Sequence, residues 1–124
     1  MTRTLAIIED DPLLALDLEL LCQDAGWDVA AIARSFEEVK FKLRNDHPDM
    51  VISDMELIGT GDGVDAVSWL KQRNPDLKII FVTGATKDYL LKRIDETCPL
   101  RVFSKPVDPD RFVSLLNEMQ GLSP

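Results

Sequence analysis

The sequence predicts an α/β protein in which five parallel strands form one doubly wound sheet, covered on both faces by helices, in the strand order 2-1-3-4-5. Two observations carry that prediction. Five short aliphatic and β-branched runs alternate with five longer stretches whose apolar residues recur at helical spacing. The connections between them are short, and right-handed crossovers leave a parallel sheet few topologies. The 124 residues suffice for one continuous core, so residues 1–124 read as a single domain with no output domain in the chain.

Thr4 to Ile8 is the first strand; Glu9, Asp10 and Asp11 follow it, and Pro12 suits the first turn of a helix. That helix runs from Pro12 to Ala25. Leu14, Leu18, Leu21 and Ala25 form its apolar stripe, Leu13, Leu16 and Leu20 widen it toward a partner surface, and Gly26 closes it. Asp28 to Ile32 is the second strand. Ser35 is the N-cap of the second helix with Glu38 three residues on, and Phe36, Val39, Phe41 and Leu43 lie along it. After His47-Pro48, the run Met50-Val51-Ile52-Ser53 reads as a strand buried on both faces that carries Asp54 to its C-terminal end. A loop with Gly59, Gly61 and Gly63 leads into the third helix, Val64 to Arg73, which breaks at Asn74-Pro75. Leu77 to Val82 is the fourth strand and ends at Thr83-Gly84. Lys87 to Thr97 is a more polar helix and Leu100 to Phe103 the fifth strand. Lys105-Pro106 makes the turn, Asp108 opens the last helix from Pro109 to Met119, and Gly121 to Pro124 is a frayed end. The order is the flavodoxin-like one.

Composition excludes several classes. A formal charge of −8 argues against direct nucleic-acid binding. The longest apolar stretches, such as Leu77 to Val82, are interrupted by Lys78 and fall short of a bilayer span. The N-terminus lacks the apolar segment of a signal peptide, so the expectation is a cytoplasmic protein with no membrane contact. Cys22 and Cys98 show no metal-ligand spacing and read as buried or incidental thiols. His47, the only histidine, reads as a solvated turn residue. Trp27 and Trp69 read as cover for the sheet or core edge, with a homodimer face through either left open.

In an open parallel sheet, ligands collect outside the carboxyl ends of the strands. The first strand brings Glu9 and Asp10 there, the third Asp54, the fourth Thr83 and the fifth Lys105. Three clustered carboxylates repel, and they call for a compensating cation or else a raised pKa for at least one; a hard divalent ion is the natural partner. Mg2+ takes oxygen ligands and retains waters, which suits Asp10 and Asp54 directly, a backbone carbonyl near Glu56, and Glu9 through water. Asp54 can then attack phosphorus as a carboxylate nucleophile, with Lys105 offsetting charge and Thr83 hydrogen-bonding a phosphoryl oxygen.

The runs Ile7-Ile8-Glu9-Asp10-Asp11-Pro12, Val51-Ile52-Ser53-Asp54, Phe81-Val82-Thr83-Gly84 and Ser104-Lys105-Pro106, in this order and spacing, resemble the receiver domains of two-component signalling. The likeness covers essentially the whole chain. It implies that Glu9 and Asp10 are the metal-binding acidic pair and that Asp54 accepts phosphate from a histidine kinase or histidine phosphotransfer protein. It further implies that Thr83 and Lys105 contact the phosphoryl group, that the Lys105-Pro106 peptide is cis, and that the fourth helix, fifth strand and fifth helix face an output protein of unknown identity.

The sequence departs from the family pattern at several points. Val102 stands where many receivers carry an aromatic residue, and Phe103 falls on the opposite strand face. The loop from Leu57 to Gly63 is glycine-rich and lacks a proline, which predicts extra mobility there. Glu56 and Ala85 occupy positions that tune access of hydrolytic water. Asp11 reads as a helix cap. The alternatives are a receiver fold acting without phosphate and a small phosphatase of the haloacid-dehalogenase type, suggested by Asp54-Met55-Glu56, although that family carries Asp as its second acid, on its first strand. A flavin-binding carrier lacks support because Glu9 and Asp10 would repel an anionic phosphate.

Overall fold

The computed structural model describes residues 3–121 and contains the expected alternation. The elements are β1 (Thr4–Ile8), α1 (Pro12–Asp24), β2 (Asp28–Ala33), α2 (Phe36–Lys42), β3 (Met50–Ser53), α3 (Gly63–Arg73), β4 (Lys78–Thr83), α4 (Asp88–Asp95), β5 (Arg101–Ser104) and α5 (Pro109–Gly121). All five strands pair in parallel in the order β2-β1-β3-β4-β5. Gly121 belongs to α5, and the rest of the tail read as frayed, 122–124, lies outside the described residues.

Alternation along each strand divides the core into two layers. Leu5 and Ile7 of β1 pack with Ile52, Val82 and Phe112 on the face carrying α1 and α5. Ala6 and Ile8 pack with Val51, Phe81, Val67 and Leu70 on the other. The central strands are therefore apolar at consecutive positions, because both faces are covered. Trp27, buried as expected, donates its indole N–H to the Leu116 carbonyl at 3.1 Å and so ties α5 to the start of β2. Trp69 is half-buried, with the Arg73 guanidinium 4.5 Å from its ring.

Side-chain caps set most helix starts. Asp11 accepts from the N–H groups of Leu13 and Leu14 at 3.0 and 3.4 Å, and Asp108 from those of Asp110 and Arg111 at 3.0 and 3.3 Å. Ser35 caps α2 through the Glu38 N–H, but Glu38 returns its bond one residue early, to the Arg34 N–H. The buried stripe of α1 is Ala15, Leu18 and Cys22 with Ala25 beyond it, a shift that leaves Leu14 and Leu21 half-buried. Leu13, Leu16 and Leu20 stand in solvent.

The polar fourth helix is shorter than its pattern predicts. The Thr97 and Cys98 N–H groups donate to Ile94 and Asp95, three residues back, and the Thr97 hydroxyl also takes the Ile94 carbonyl. Cys98 then turns the chain with φ 56°, a left-handed conformation costly for a residue with a Cβ. Replacing it by glycine is expected to raise unfolding free energy by about 0.5–1 kcal/mol in denaturant titration.

The two thiols differ in the same way as their surroundings. Burial pushes the Cys22 thiol up from 9.0 to about 12, with Glu19 adding to the effect, whereas Cys98 is exposed. A folded-state pKa above the unfolded value means that this stabilising contribution is complete below pH 9.0 and is lost as pH rises toward about 12. A thiol-reactive dye in native buffer should accordingly label one cysteine quickly, at Cys98. Labelling of Cys22 should require unfolding.

Candidate phosphoacceptor site

The β-strand ends assemble the site. The Asp54 N–H donates to Ile8 at 2.9 Å and the Lys105 N–H to Thr83 at 3.0 Å, so ladder hydrogen bonds run out to the residues expected at the site. Glu9 and Asp10 leave β1 beside Asp54 at the end of β3. One carboxylate oxygen from each of Glu9, Asp10 and Asp54 lies within 4.8 Å of the others.

Lys105 reaches into this group from beyond β5. Its Nζ donates to Asp54 Oδ2 at 2.7 Å and sits 3.1 Å from Glu9 Oε1. The second contact is an ion pair without hydrogen-bond alignment, so the buried Oε1 has no hydrogen-bond partner. Asp54 Oδ1 accepts from the N–H groups of Met55 at 2.7 Å and Glu56 at 3.4 Å. Glu9 Oε2 accepts the Asp11 N–H at 3.1 Å. The Thr83 hydroxyl accepts the Ala85 N–H at 3.1 Å, which leaves its own proton to donate into the mouth.

Burial governs the electrostatics. Desolvation pushes the Glu9 carboxyl above its ordinary range and Asp54's charge adds to that, against lowering by the Asp11 N–H and Lys105. At Lys105 burial works to lower the pKa, but the close contacts and charges of Asp54 and Glu9 together raise it. The ammonium therefore stays charged throughout the neutral range.

The structure brings the side chains of Glu9, Asp10, Asp54 and Lys105 together, and Thr83 ends β4 beside them in the sheet. The Glu56 side chain is exposed and outside the carboxylate group, while its backbone N–H donates to Asp54 Oδ1 at 3.4 Å. The Lys105-Pro106 peptide is cis. Phe103 packs edge-on against Phe112 with ring centroids 5.5 Å apart, on the face opposite the half-exposed Val102.

Sequence reasoning missed how the following loop is held. Its Ile58 bridges Ser35, and Gly61 lies so close to Phe36 that a Cβ would sit 2.8 Å from the ring. Asp62 and Asp65 form a reciprocal capping box at the start of α3. These contacts tether a segment whose composition predicts extra mobility. The Asp-x-x-Asp spacing before a helical run was the available signal for the box.

This fold and site define a class. The model of the response regulator receiver domain family matches residues 5–117, and the chain belongs to that family, a receiver of two-component signalling. It is 30% identical over 119 residues to Phyllosphere-induced regulator PhyR of Methylorubrum extorquens, covering 95% of this chain and 43% of that protein. It is 24% identical over 119 residues to Chemotaxis protein CheY of Thermotoga maritima, covering 96% and 98%. The solution structure of the Erythrobacter litoralis PhyR receiver domain superposes with a TM-score of 0.81 at 24% identity, covering 99% of this chain and 95% of that one. The chain spans about half the length, or less, of the first curated relatives it matches.

Gly63 makes the tightest approach at the site. Its N–H donates to Met55 at 2.7 Å, and a Cβ there would lie 1.7 Å from the Asp54 carbonyl oxygen. Gly63→Ala is expected to cost about 3 kcal/mol in equilibrium unfolding, because the start of α3 must back away from Asp54.

Proposed function

We propose that this receiver accepts a phosphoryl group on Asp54 from a histidine kinase or histidine phosphotransfer protein. The observation that carries the reading is the Lys105 ammonium held 2.7 Å from the buried Asp54 carboxylate at the end of the central strand. A carboxylate oxygen of Asp54 forms the bond to phosphorus as the bond from phosphorus to the donor's imidazole nitrogen breaks, with its electron pair returning to that nitrogen. Lys105 offsets charge on the transferred group's oxygens, and the Thr83 hydroxyl donates to one of them. The acceptor needs no general base, since the carboxylate is the nucleophile in its ionised form.

The residues fit a hard divalent cation. The donors are all oxygen, and Glu9 Oε1 is buried without a hydrogen-bond partner. Mg2+ would be held by Asp10 and Asp54, with the backbone near Glu56 and with Glu9 through water. Bound there, it supplies charge neutralisation for the phosphoryl oxygens. The change at Asp54 then alters contacts with an output protein or drains a kinase, and we assign this work to the cytoplasm. Among the described residues no helix is long and apolar enough to cross a membrane.

Intact-mass measurement after incubation with acetyl phosphate, with and without Mg2+, tests this. The parent should gain one phosphoryl group in a metal-dependent manner and Asp54→Asn none. Lys105→Met should slow the gain by about 10²-fold, the loss typical of one electrostatic stabiliser. A gain that persists in Asp54→Asn, or none in the parent with either acetyl phosphate or a phosphorylated histidine donor, would overturn the assignment. Sustained release of phosphate from an ester would point instead to a phosphatase.

A further inference from the structure

Helix α4 is weakly seated. Ile94 is its one buried residue, Leu90 and Leu91 pack partly, and its N-cap Lys87 makes no side-chain cap bond. Two polar contacts tie it to the neighbouring helix: just past its end Lys71 Nζ of α3 donates to the Thr97 carbonyl at 3.0 Å, and within it Arg93 Nη1 donates to Asp62 Oδ2 while Nη2 lies 3.4 Å from Asp65 Oδ1. The other oxygens of these carboxylates close the capping box. Asp62 Oδ1 accepts the Asp65 N–H at 3.0 Å, and Asp65 Oδ2 accepts the Asp62 N–H at 2.9 Å. All four oxygens are thus engaged, two by the α3 backbone and two by a guanidinium from α4. The next residue is Gly63, whose backbone lies against Asp54 and Met55.

We propose that Arg93 is a positioning residue that couples α4 to the phosphoacceptor loop, so that displacement of the 54–63 backbone on loading of Asp54 is passed through the fork to the helix. The regulatory consequence rests on the reading of Asp54 as phosphoacceptor. A planar guanidinium shared by two carboxylates is sensitive to their relative position, which a point charge is not. All three side chains are partly exposed, so the ion pairs are weak enough to open and close reversibly. A route through an aromatic ring is missing on β5, where Val102 has no ring and the ring of Phe103 is packed on Phe112.

Hydrogen exchange by mass spectrometry on the full chain, with and without beryllofluoride and Mg2+ as a phosphoryl mimic, distinguishes the outcomes. In the parent, the mimic should change exchange across residues 86–97. Arg93→Gln should still bind it, by native mass, but lose most of that loaded-minus-unloaded difference. A merely structural role would shift both states alike and preserve the difference. Asp62→Asn/Asp65→Asn keeps side-chain acceptors for the cap while removing the charges, and should reproduce the loss with α3 protected. An undiminished difference in Arg93→Gln, or a parent that binds the mimic without a change in 86–97, overturns the coupling. If the parent takes up neither mimic nor phosphate, the phosphoacceptor reading fails, and the unliganded arm decides the coupling. Arg93→Gln should then speed exchange about threefold or more in both 86–97 and 62–66, and acceleration confined to one segment, or in neither, overturns it.

Discussion

A carboxylate almost withdrawn from water must be compensated, and the ion pair between Asp54 and Lys105 meets that requirement here. Asp54 is 6% exposed and Glu9 1% exposed, so two acidic groups share a space that solvent scarcely reaches. Desolvation of an ionised group is costly unless partners replace the lost water. The Lys105 ammonium, the N–H groups of Met55 and Glu56, and the Asp11 N–H provide most of the replacement. Glu9 Oε1 is ion-paired with Lys105 at 3.1 Å but has no hydrogen-bond partner, and desolvation, with the charge of Asp54 adding to it, raises the Glu9 carboxyl.

The sheet exists in the form that this compensation needs. Asp54 ends the central strand β3, Glu9 and Asp10 end its neighbour β1, and Thr83 ends β4 on the other side. Lys105 comes from beyond the edge strand β5, of which only Phe103 is buried. Anchoring of that edge by the Phe103–Phe112 contact therefore matters to the ammonium two residues later. On the opposite face, Gly63 brings α3 against the Asp54 backbone, and the capping box after it meets α4 through Arg93. Asp54 thus lies between the central sheet and a helix start whose neighbour is loosely held.

Much of this was legible in the sequence because it depends on local pattern. Strand ends followed by Glu9-Asp10, Asp54, Thr83 and Lys105 mark a mouth as soon as the strands are taken as parallel. Caps at Asp11, Ser35 and Asp108 follow from side chains that reach their own helix starts. The α1 stripe was misjudged by one position because leucines surround the helix. The length of α4 was overestimated because the turn at Thr97 and Cys98 is made by backbone bonds that no residue type announces. The tethers of the glycine-bearing loop escaped notice, since Ser35 and Phe36 are more than twenty residues from it in the chain.

By itself the sequence determined the alternation of elements, the apolar faces and the chemical identity of the groups at the strand ends, because these follow from periodicity and residue type. Only the tertiary structure decided that Lys105 spans Asp54 and Glu9 together, that a side chain at Gly63 would collide with the Asp54 carbonyl, and that Arg93 reaches the Asp62–Asp65 box. Those contacts join residues tens of positions apart, and their distances are fixed by how helices settle on a twisted sheet, a sum of many small packing terms with no local signature in the chain.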